Sequence, residues 1–350
     1  MPFDVLYGLT FGLIIGIVFG FILQRGRFCI NSAIRDPLML KEFGLIKAVG
    51  FAIFVQMIGF AIMHATGIIT LNPKPFMWGA QIVGGFVFGI GMVLAGGCAS
   101  GTTYRVGEGM MGSFVALLGF ITGAVASSGK GVLAALVTSF QTSTTIKAGD
   151  GSNLTIGGAY NWIVMLVVGI VGVGLMYWKM ILPLIKARKT NPQKINVGQA
   201  LFKKAWPWWF TGLSIGILGC IAYVSSAASG RNYPLGITGG WAGVSTFITT
   251  GNLDSLSWEA WLVLGIVLGA FISASIAGEF KIRVPKEGKT ILIQFLGGLA
   301  MGFGAILAAG CNIGNLLSGI PHLSIGSILA SAFIAIGGLF MSYLLFMREK

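Results

Sequence analysis

The stretch GGFVFGIGMVLAGGCASG, at Gly84–Gly101, occurs a second time as GGLAMGFGAILAAGCNIG, at Gly297–Gly314. Nine of the 18 aligned residues are identical at a shift of 213 positions, and the pair Cys98 and Cys311 is among them. In each copy an apolar run ends in a turn of small residues that carries the cysteine. The chain is therefore predicted to consist of two related halves.

The composition argues against a water-soluble fold. Of the 350 residues, 55% are hydrophobic and only 9% are charged, whereas a soluble domain carries about 25% charged residues. A helix that crosses a bilayer needs about 20 mostly apolar residues. We therefore predict an all-α, polytopic membrane protein with about nine transmembrane helices. The predicted spans lie near residues 5–23, 44–70, 77–95, 110–128, 160–182, 205–227, 258–279, 290–309 and 323–346.

The distribution of positive charge predicts the orientation. With the N-terminus outside, 19 of the 23 Lys and Arg fall in inner loops or in the inner tail, which is the asymmetry of the positive-inside rule. The C-terminus is then predicted on the inner side, opposite the N-terminus. The net charge of +13 is spread between apolar runs, and this pattern argues against nucleic-acid binding. Four cations are assigned to the outer side: Lys74, Lys130, Lys147 and Arg231.

The two halves are predicted to have opposite orientations in the membrane. A weaker repeat at a shift of 204 relates Gly8–Gly12 to Gly212–Gly216 and carries Arg27 onto Arg231. Each half holds four spans, and one further span joins them, so the second half enters the membrane upside down. The predicted division is a first repeat at 1–130, an interfacial helix, linker span and basic cytoplasmic loop at 131–204, and an inverted repeat at 205–350. Many transporters share this plan and bind substrate near the midplane, at the repeat interface.

Four connections are too apolar and too rich in glycine for ordinary aqueous loops. We interpret them as re-entrant half-helices around a central constriction, because irregular backbone at membrane depth must be buried in protein or line a cavity. The N-terminus of such a half-helix offers unpaired N–H groups to an anion. The spans hold almost no Asp or Glu, which disfavours a proton relay or sodium site. The four segments are Gln24–Asp36, Ala95–Gly109, Gly236–Asn252 and Ala309–Pro321.

Three of the four cysteines lie in these interrupted segments. Cys29, Cys98 and Cys311 share this location, whereas Cys220 lies inside an apolar span and is expected to be a small buried hydrophobe. Their wide spacing predicts no metal site and no disulfide framework. A neutral thiol is a weak S–H donor that can contact a soft sulfur or selenium anion, and a thiolate can instead attack sulfane sulfur to give a persulfide. Both chemistries remain open from the residues alone.

The neighbours of the cysteines complete the predicted substrate-binding set. Three arginines, Arg27, Arg105 and Arg231, adjoin the interrupted segments and are expected to draw an anion inwards; the alternative is that they snorkel to lipid headgroups. His64 and His322 are expected at the interface, near the outer ends of spans. No cofactor motif and no catalytic set is found, so an enzyme is not predicted. The polar and small residues expected around Cys98 and Cys311 are Gly97, Ser100, Gly101, Gly310 and Asn312.

Three cysteine-bearing segments closely resemble the motifs of the YeeE/YedE family of bacterial inner-membrane proteins, and of its thiosulfate-uptake branch in particular. They are QRGRFCINSAIRD at Gln24–Asp36, LAGGCASGTTYRVGEG at Leu94–Gly109 and MGFGAILAAGCNIGN at Met301–Asn315. The resemblance extends from the first span to the last. It implies a multi-pass protein of the bacterial inner membrane, hourglass-shaped and built from inverted repeats.

The resemblance also implies a function. It implies import of thiosulfate, passed between cysteines by S–H hydrogen bonds, with Cys98 as the central contact and Cys29 and Cys311 flanking it. It further implies a cytosolic partner, a small sulfurtransferase of the TusA/SirA type. Two alternatives stay open: a membrane sulfurtransferase that relays sulfur as a cysteine persulfide, and a carrier of selenium compounds or other sulfur anions.

Overall fold

The computed structural model describes residues 8–129, 131–149, 153–185 and 197–347. The predictions for Lys130, for the basic loop at 186–196 and for the last three residues lie outside the described part of the chain. The described residues include fourteen α-helices, three π-helical turns, two of which adjoin α-helices, and one short antiparallel pair, β1 (Phe76–Met77) and β2 (Thr145–Ile146).

Long helices and short helices are interspersed along the chain. Eight helical stretches of the described chain are long and apolar enough to cross a membrane, and Met111–Ser127 is a shorter apolar helix. The fold is therefore that of an all-α, polytopic membrane protein, as predicted. The helices are α1 (Leu13–Arg25), α2 (Ile30–Met39), α3 (Gly44–Ala65), α4 (Trp78–Leu94), α5 (Ala99–Gly107), α6 (Met111–Ser127), α7 (Ala134–Ser143), α8 (Asn161–Met176), α9 (Val197–Phe202), α10 (Trp208–Ala228), α11 (Thr238–Thr250), α12 (Trp258–Ala277), α13 (Gly288–Leu307) and α14 (Ile325–Phe346).

Short helices occupy the four segments in which interruptions were predicted. Three of them, α2, α5 and α11, have 10, 9 and 13 residues and are too short to cross a bilayer. The fourth segment differs from an α-helix, because it consists of the π-helical turn Ile313–Leu317 and the 3₁₀ turn Ile320–His322. Cys29 and Cys98 are the N-cap residues of α2 and α5.

The long helices pack in pairs that correspond between the halves. Helix α1 packs on α12 and α3 packs on α10; likewise α6 packs on α13 and α14 packs on α4. Exchanging the halves converts the contact of α1 with α12 into that of α10 with α3. It likewise converts the contact of α6 with α13 into that of α14 with α4. The central pair, α4 and α13, is converted into itself. Helices approach closely where glycine allows it: a Cβ at Gly20 of α1 would collide with the backbone oxygen of Ile266 in α12.

One arginine that hydropathy places in a loop is buried in the protein. Arg25, the last residue of α1, is 1% exposed and forms an ion pair with Glu279, which follows α12. Its Nε donates to Ser273 Oγ at 3.1 Å, and Ser273 Oγ donates to Gln24 Oε1 at 2.7 Å. Glu279 is 31% exposed and lies just beyond the end of α12. The network joins the ends of α1 and α12 beside the cavity described below.

Candidate anion path

Two thiols meet at the N-termini of two short helices. The Sγ atoms of Cys29 and Cys98 lie 3.5 Å apart, and both residues are buried. Cys98 Sγ also accepts a hydrogen bond from the backbone N–H of Gly101 at 3.4 Å and lies 3.5 Å from Ser100 Oγ. A Cβ at Gly101 would lie 2.8 Å from Cys29 Sγ. The absence of a side chain at this position lets both sulfur atoms lie over the first turn of α5.

An unpaired amide from the second half lies beside these thiols. Asn312 is adjacent to Cys98 and is completely buried. Neither Oδ1 nor Nδ2 of Asn312 has a hydrogen-bond partner among the described residues. A buried amide without partners costs free energy, so this position suits a ligand that accepts from Nδ2. Asn31, two residues after Cys29, also has a buried Oδ1 atom without a hydrogen-bond partner among the described residues.

A first cavity, of about 370 Å³, opens beside the third cysteine. Cys311 lines it together with Tyr233, and three charged side chains face the same space. The pair Arg231 and Glu259 is joined by a hydrogen bond of 3.0 Å between Nε and Oε2. We call this space the outer cavity, after the predicted orientation. Its lining includes Lys74, Arg231, Tyr233, Thr238, Glu259, Gly310, Cys311 and Gly314.

Lys74 is a member of this cavity that the sequence reasoning missed. Its Nζ donates to the backbone oxygen of Ala309 and lies 5.2 Å from the ring centre of Tyr233. Gly310 and Gly314 leave room for the ammonium, because a Cβ at either position would crowd Nζ. Burial lowers the pKa of Lys74 to about 8. The charge count predicts an outer loop for this residue and assigns it no role beyond topology.

His322 lies inside the protein and not at the interface, so the expectation for it is wrong. Its ring stacks on Tyr233 with 5.7 Å between the centres and 7° between the planes. Nδ1 donates to the backbone oxygen of Ser318 at 2.6 Å, and Nε2 lies 3.1 Å from Tyr223 Oη. The stack fixes Tyr233, whose Oη donates to the backbone oxygen of Gly314 at 2.6 Å. His322 thus supports the wall of the outer cavity.

A second cavity, of about 820 Å³, lies at the other end of α12. Arg105 Nη1 donates to the backbone oxygen of Gly96 at 2.6 Å, and a Cβ at Gly97 would lie 3.1 Å from the same nitrogen. Arg27 is 68% exposed and lies 3.3 Å from Glu279. We call this space the inner cavity. Its charged lining residues are Arg27, Arg35, Asp36, Arg105, Glu108, Glu279, Lys281 and Arg283.

Two of the three acids among the described lining residues of the inner cavity, Glu108 and Glu279, have pKa values shifted in opposite directions. Burial raises the pKa of Glu108, which accepts a hydrogen bond from Gln24 Nε2 at 3.1 Å. Burial acts in the same sense on Glu279, but the hydrogen bond from Gln24 and the charge of Arg25 outweigh it and hold the pKa of Glu279 below its usual value. The inner cavity therefore keeps an ionised acid beside its cations.

The cavities lie at opposite ends of one helix. Glu259, in the first turn of α12, lines the outer cavity, and Glu279, just after its last turn, lines the inner one. A helix of 20 residues is about 30 Å long. Neither cavity has Cys29 or Cys98 among its described lining residues. The thiol pair is therefore buried, and it lies in a different place from either cavity.

Comparison with known proteins identifies the family. The family model described as Sulphur transport matches residues 25–340. The chain belongs to this sulphur-transport family. A member from Spirochaeta thermophila, named thiosulfate transporter TsuA, is 38% identical over 346 residues, or 96% of this chain and 99% of that protein. The protein of the same name from Escherichia coli is 33% identical over 345 residues, covering 97% and 95%. The resemblance to the YeeE/YedE motifs is thereby confirmed.

A second group of relatives matches only in part. The protein named probable transporter YedE from Salmonella typhimurium is 34% identical over 117 residues, which is 33% of this chain and 28% of that protein. The family is therefore one of membrane-embedded transport proteins, and this chain aligns along nearly its whole length with members named for thiosulfate.

The predicted binding residues fall into three groups in this family member. Cys29, Cys98, Ser100, Gly101 and Asn312 lie together at the buried centre. Cys311 and Gly310 line the outer cavity. Arg27 and Arg105 line the inner cavity, where Gly97 lies beneath the guanidinium of Arg105. The arginines face a cavity, which favours a role in drawing in an anion over snorkelling; the binding role of each residue stays a prediction.

Proposed function

We propose that this protein imports thiosulfate through the cysteine-lined centre between the two cavities. The observation that carries the proposal is the buried cluster of Cys29, Cys98 and the unpaired amide of Asn312. Its thiol and amide groups donate weak hydrogen bonds without adding a full charge. Such a centre suits a soft anion that must leave again after it binds. The names of the full-length relatives supply the ion.

The route runs from the outer cavity to the inner one. Lys74 and Arg231 attract the dianion, and Cys311 gives it the first S–H contact. Cys98 then takes over, with the N-terminus of α5 directed at the ion, and Cys29 passes it to the cavity of Arg27 and Arg105. Each contact is a hydrogen bond from neutral sulfur, so no covalent bond forms.

The remaining parts of the proposal concern topology and partner. The N-terminus lies outside and the C-terminus inside the bacterial inner membrane, and the chain divides into 1–130, 131–204 and 205–350 as the repeat predicts. A small cytosolic sulfurtransferase of the TusA/SirA type takes the sulfur at the inner cavity. The basic lining there, with Arg35, Lys281 and Arg283, supports an acidic surface on that partner.

Uptake of radiolabelled thiosulfate into proteoliposomes that contain only this protein tests the proposal. Wild-type vesicles should take up label until the inner and outer concentrations are equal, and Cys98→Ala should abolish uptake. Cys220→Ala is the matched control, since Cys220 lies in α10 and lines neither described cavity. Full uptake by Cys98→Ala at equal reconstitution would rule out the thiol route.

The persulfide alternative is separated by mass. Intact-mass analysis after turnover should show the unmodified chain, because the proposed route is non-covalent. A gain of one sulfur atom on Cys29 or Cys98 would replace the relay with sulfur transfer. Competition of selenium compounds or sulfate against labelled thiosulfate tests the choice of ion, and a competitor that binds more tightly than thiosulfate would reassign the substrate.

A further inference from the structure

Helices α4 and α13 end in the same backbone turn. In the first half Gly96 N–H donates to Val93 O at 3.1 Å and Gly97 N–H donates to Met92 O at 3.0 Å. The counterparts at a shift of 213 are Ala309 to Ile306 at 3.1 Å and Gly310 to Ala305 at 2.7 Å. This pattern is the Schellman motif. Both central residues have the left-handed conformation, with φ of +73° at Gly96 and +55° at Ala309.

A cation holds the carbonyl group of this turn in both halves. Arg105 donates to Gly96 O, and Lys74 donates to Ala309 O. The two acceptors are equivalent by the repeat, but the two donors are not, because a shift of 213 carries Arg105 onto Ser318 and Lys74 onto Glu287. The same contact has therefore been built from different parts of the chain. In each case the carbonyl lies two residues before a cysteine of the path.

We propose that Lys74 and Arg105 are a matched pair of anion-operated latches, one in each cavity. At rest each cation holds the turn that precedes Cys311 or Cys98. An oxyanion in the cavity is a stronger acceptor than a neutral carbonyl, so the cation transfers to it and the turn is released. The cysteine after the turn then becomes free to follow the ion. This inference deepens the proposed function and rests on its assignment of both cavities to the ion path.

The surroundings of Lys74 favour such an exchange. Its Nζ lies in an open cavity, and the facing groups on neighbouring elements are Arg231, Glu259, Tyr233, Cys311 and His322. Glu259 accepts a hydrogen bond from Arg231, and the Lys74 ammonium donates to the backbone oxygen of Ala309 instead. The glycines at 310 and 314 leave the space in which Nζ can turn towards an ion.

Amide hydrogen exchange of the detergent-solubilised full chain tests the latch at the turn itself. Addition of thiosulfate should speed exchange across residues 308–311 of the wild type at least threefold, because the held carbonyl is released. In Lys74→Gln exchange should already be fast and should not respond to the ion. Lys147→Gln is the control, since this exposed residue is predicted on the same side and should behave as wild type.

The inner latch gives an independent reading. Arg105→Gln should speed exchange across residues 95–98 without the ion, and Lys203→Gln, an exposed inner-side residue, should not. If either cation is merely structural, thiosulfate should slow the amide exchange of the corresponding wild-type turn or leave it unchanged. That result would overturn the latch. If thiosulfate accelerates exchange in the wild type but the wild type takes up no thiosulfate, only the transport proposal is contradicted.

Discussion

Cys29 Sγ and Cys98 Sγ lie 3.5 Å apart, although 69 residues separate them in the chain. The contact exists because each cysteine is the N-cap residue of a short helix and the two N-termini meet. Two half-helix dipoles thus point at one pair of sulfur atoms. An anion at this place gains from both positive helix ends.

The contact depends on Gly101, so Gly101→Ala should impair transport more than folding. The new Cβ would lie 2.8 Å from Cys29 Sγ and 3.3 Å from Cys98 Sγ, which forces the thiols apart. We expect uptake to fall at least tenfold. Gly174→Ala is the control: no atom lies within 4 Å of its Cβ, and removing a helix-interior glycine stabilises by about 0.5–1 kcal/mol. Equal uptake by both variants would contradict the predicted role.

Asn312→Leu should raise thermal stability and abolish uptake. The amide is buried without partners, and its removal relieves an unpaired-group cost of about 1–3 kcal/mol. Asn315→Leu is the contrasting variant: its Nδ2 donates to Gly310 O at 2.6 Å and its Oδ1 accepts from Ser327, so stability should fall. Unfolding followed by tryptophan fluorescence measures both. A loss of stability in Asn312→Leu would show that the amide is satisfied in the protein.

Thiosulfate binding should weaken as the pH rises from 7 to 9.5. Burial lowers the pKa of Lys74 to about 8, so the ammonium is charged below this pH and neutral above it. We expect the apparent Kd to rise at least fivefold across the range, measured by calorimetry. Lys74→Arg keeps its charge throughout and should flatten the profile. An unchanged pH profile in this variant would assign the titration to another group.

Glu279→Gln should destabilise the protein. It leaves Arg25, which is 1% exposed, without its ionic partner; because Glu279 itself is 31% exposed, we expect a cost below the ~3–5 kcal/mol of a fully buried pair. The exposed Glu42 serves as control through Glu42→Gln. Because the folded-state pKa of Glu279 is lowered, the stabilisation is present above the unfolded pKa and is lost as the pH falls through the folded value. Acid titration of wild-type stability should show this loss, and Glu279→Gln should not.

The spans and their interruptions were predictable from the sequence. Hydropathy identifies long apolar helices because each must satisfy its own backbone hydrogen bonds in lipid, and the predicted span 258–279 corresponds to α12 at Trp258–Ala277. The glycine-rich turns before Cys98 and Cys311 were recognisable because the repeat displays them twice. The short helix α5 after Cys98 follows from the same pattern, whereas the segment after Cys311 forms a π-helical turn and a 3₁₀ turn.

The charged groups of the interior were not predictable in the same way. Lys74 lies in a connection between spans, and only the tertiary fold brings its ammonium to Ala309. His322 and Arg25 also border apolar runs, where a hydropathy profile reads them as interfacial. Their burial depends on partners such as Tyr233 and Glu279 that are distant in sequence. A lone lysine beside two prolines, in the segment Asn72–Pro75, was the one local signal available.

The placement of the two cavities at opposite ends of α12 has an electrical consequence. Recesses that fill with water conduct, so on the proposed path the membrane potential falls mainly across the barrier of protein that separates them. A dianion that crosses this barrier carries two charges through most of the voltage, which is worth about 4.6 kcal/mol per 100 mV. Inward movement against an interior-negative potential therefore needs an energy source, such as removal of sulfur on the far side by the proposed partner, and accumulation should collapse when that source is removed.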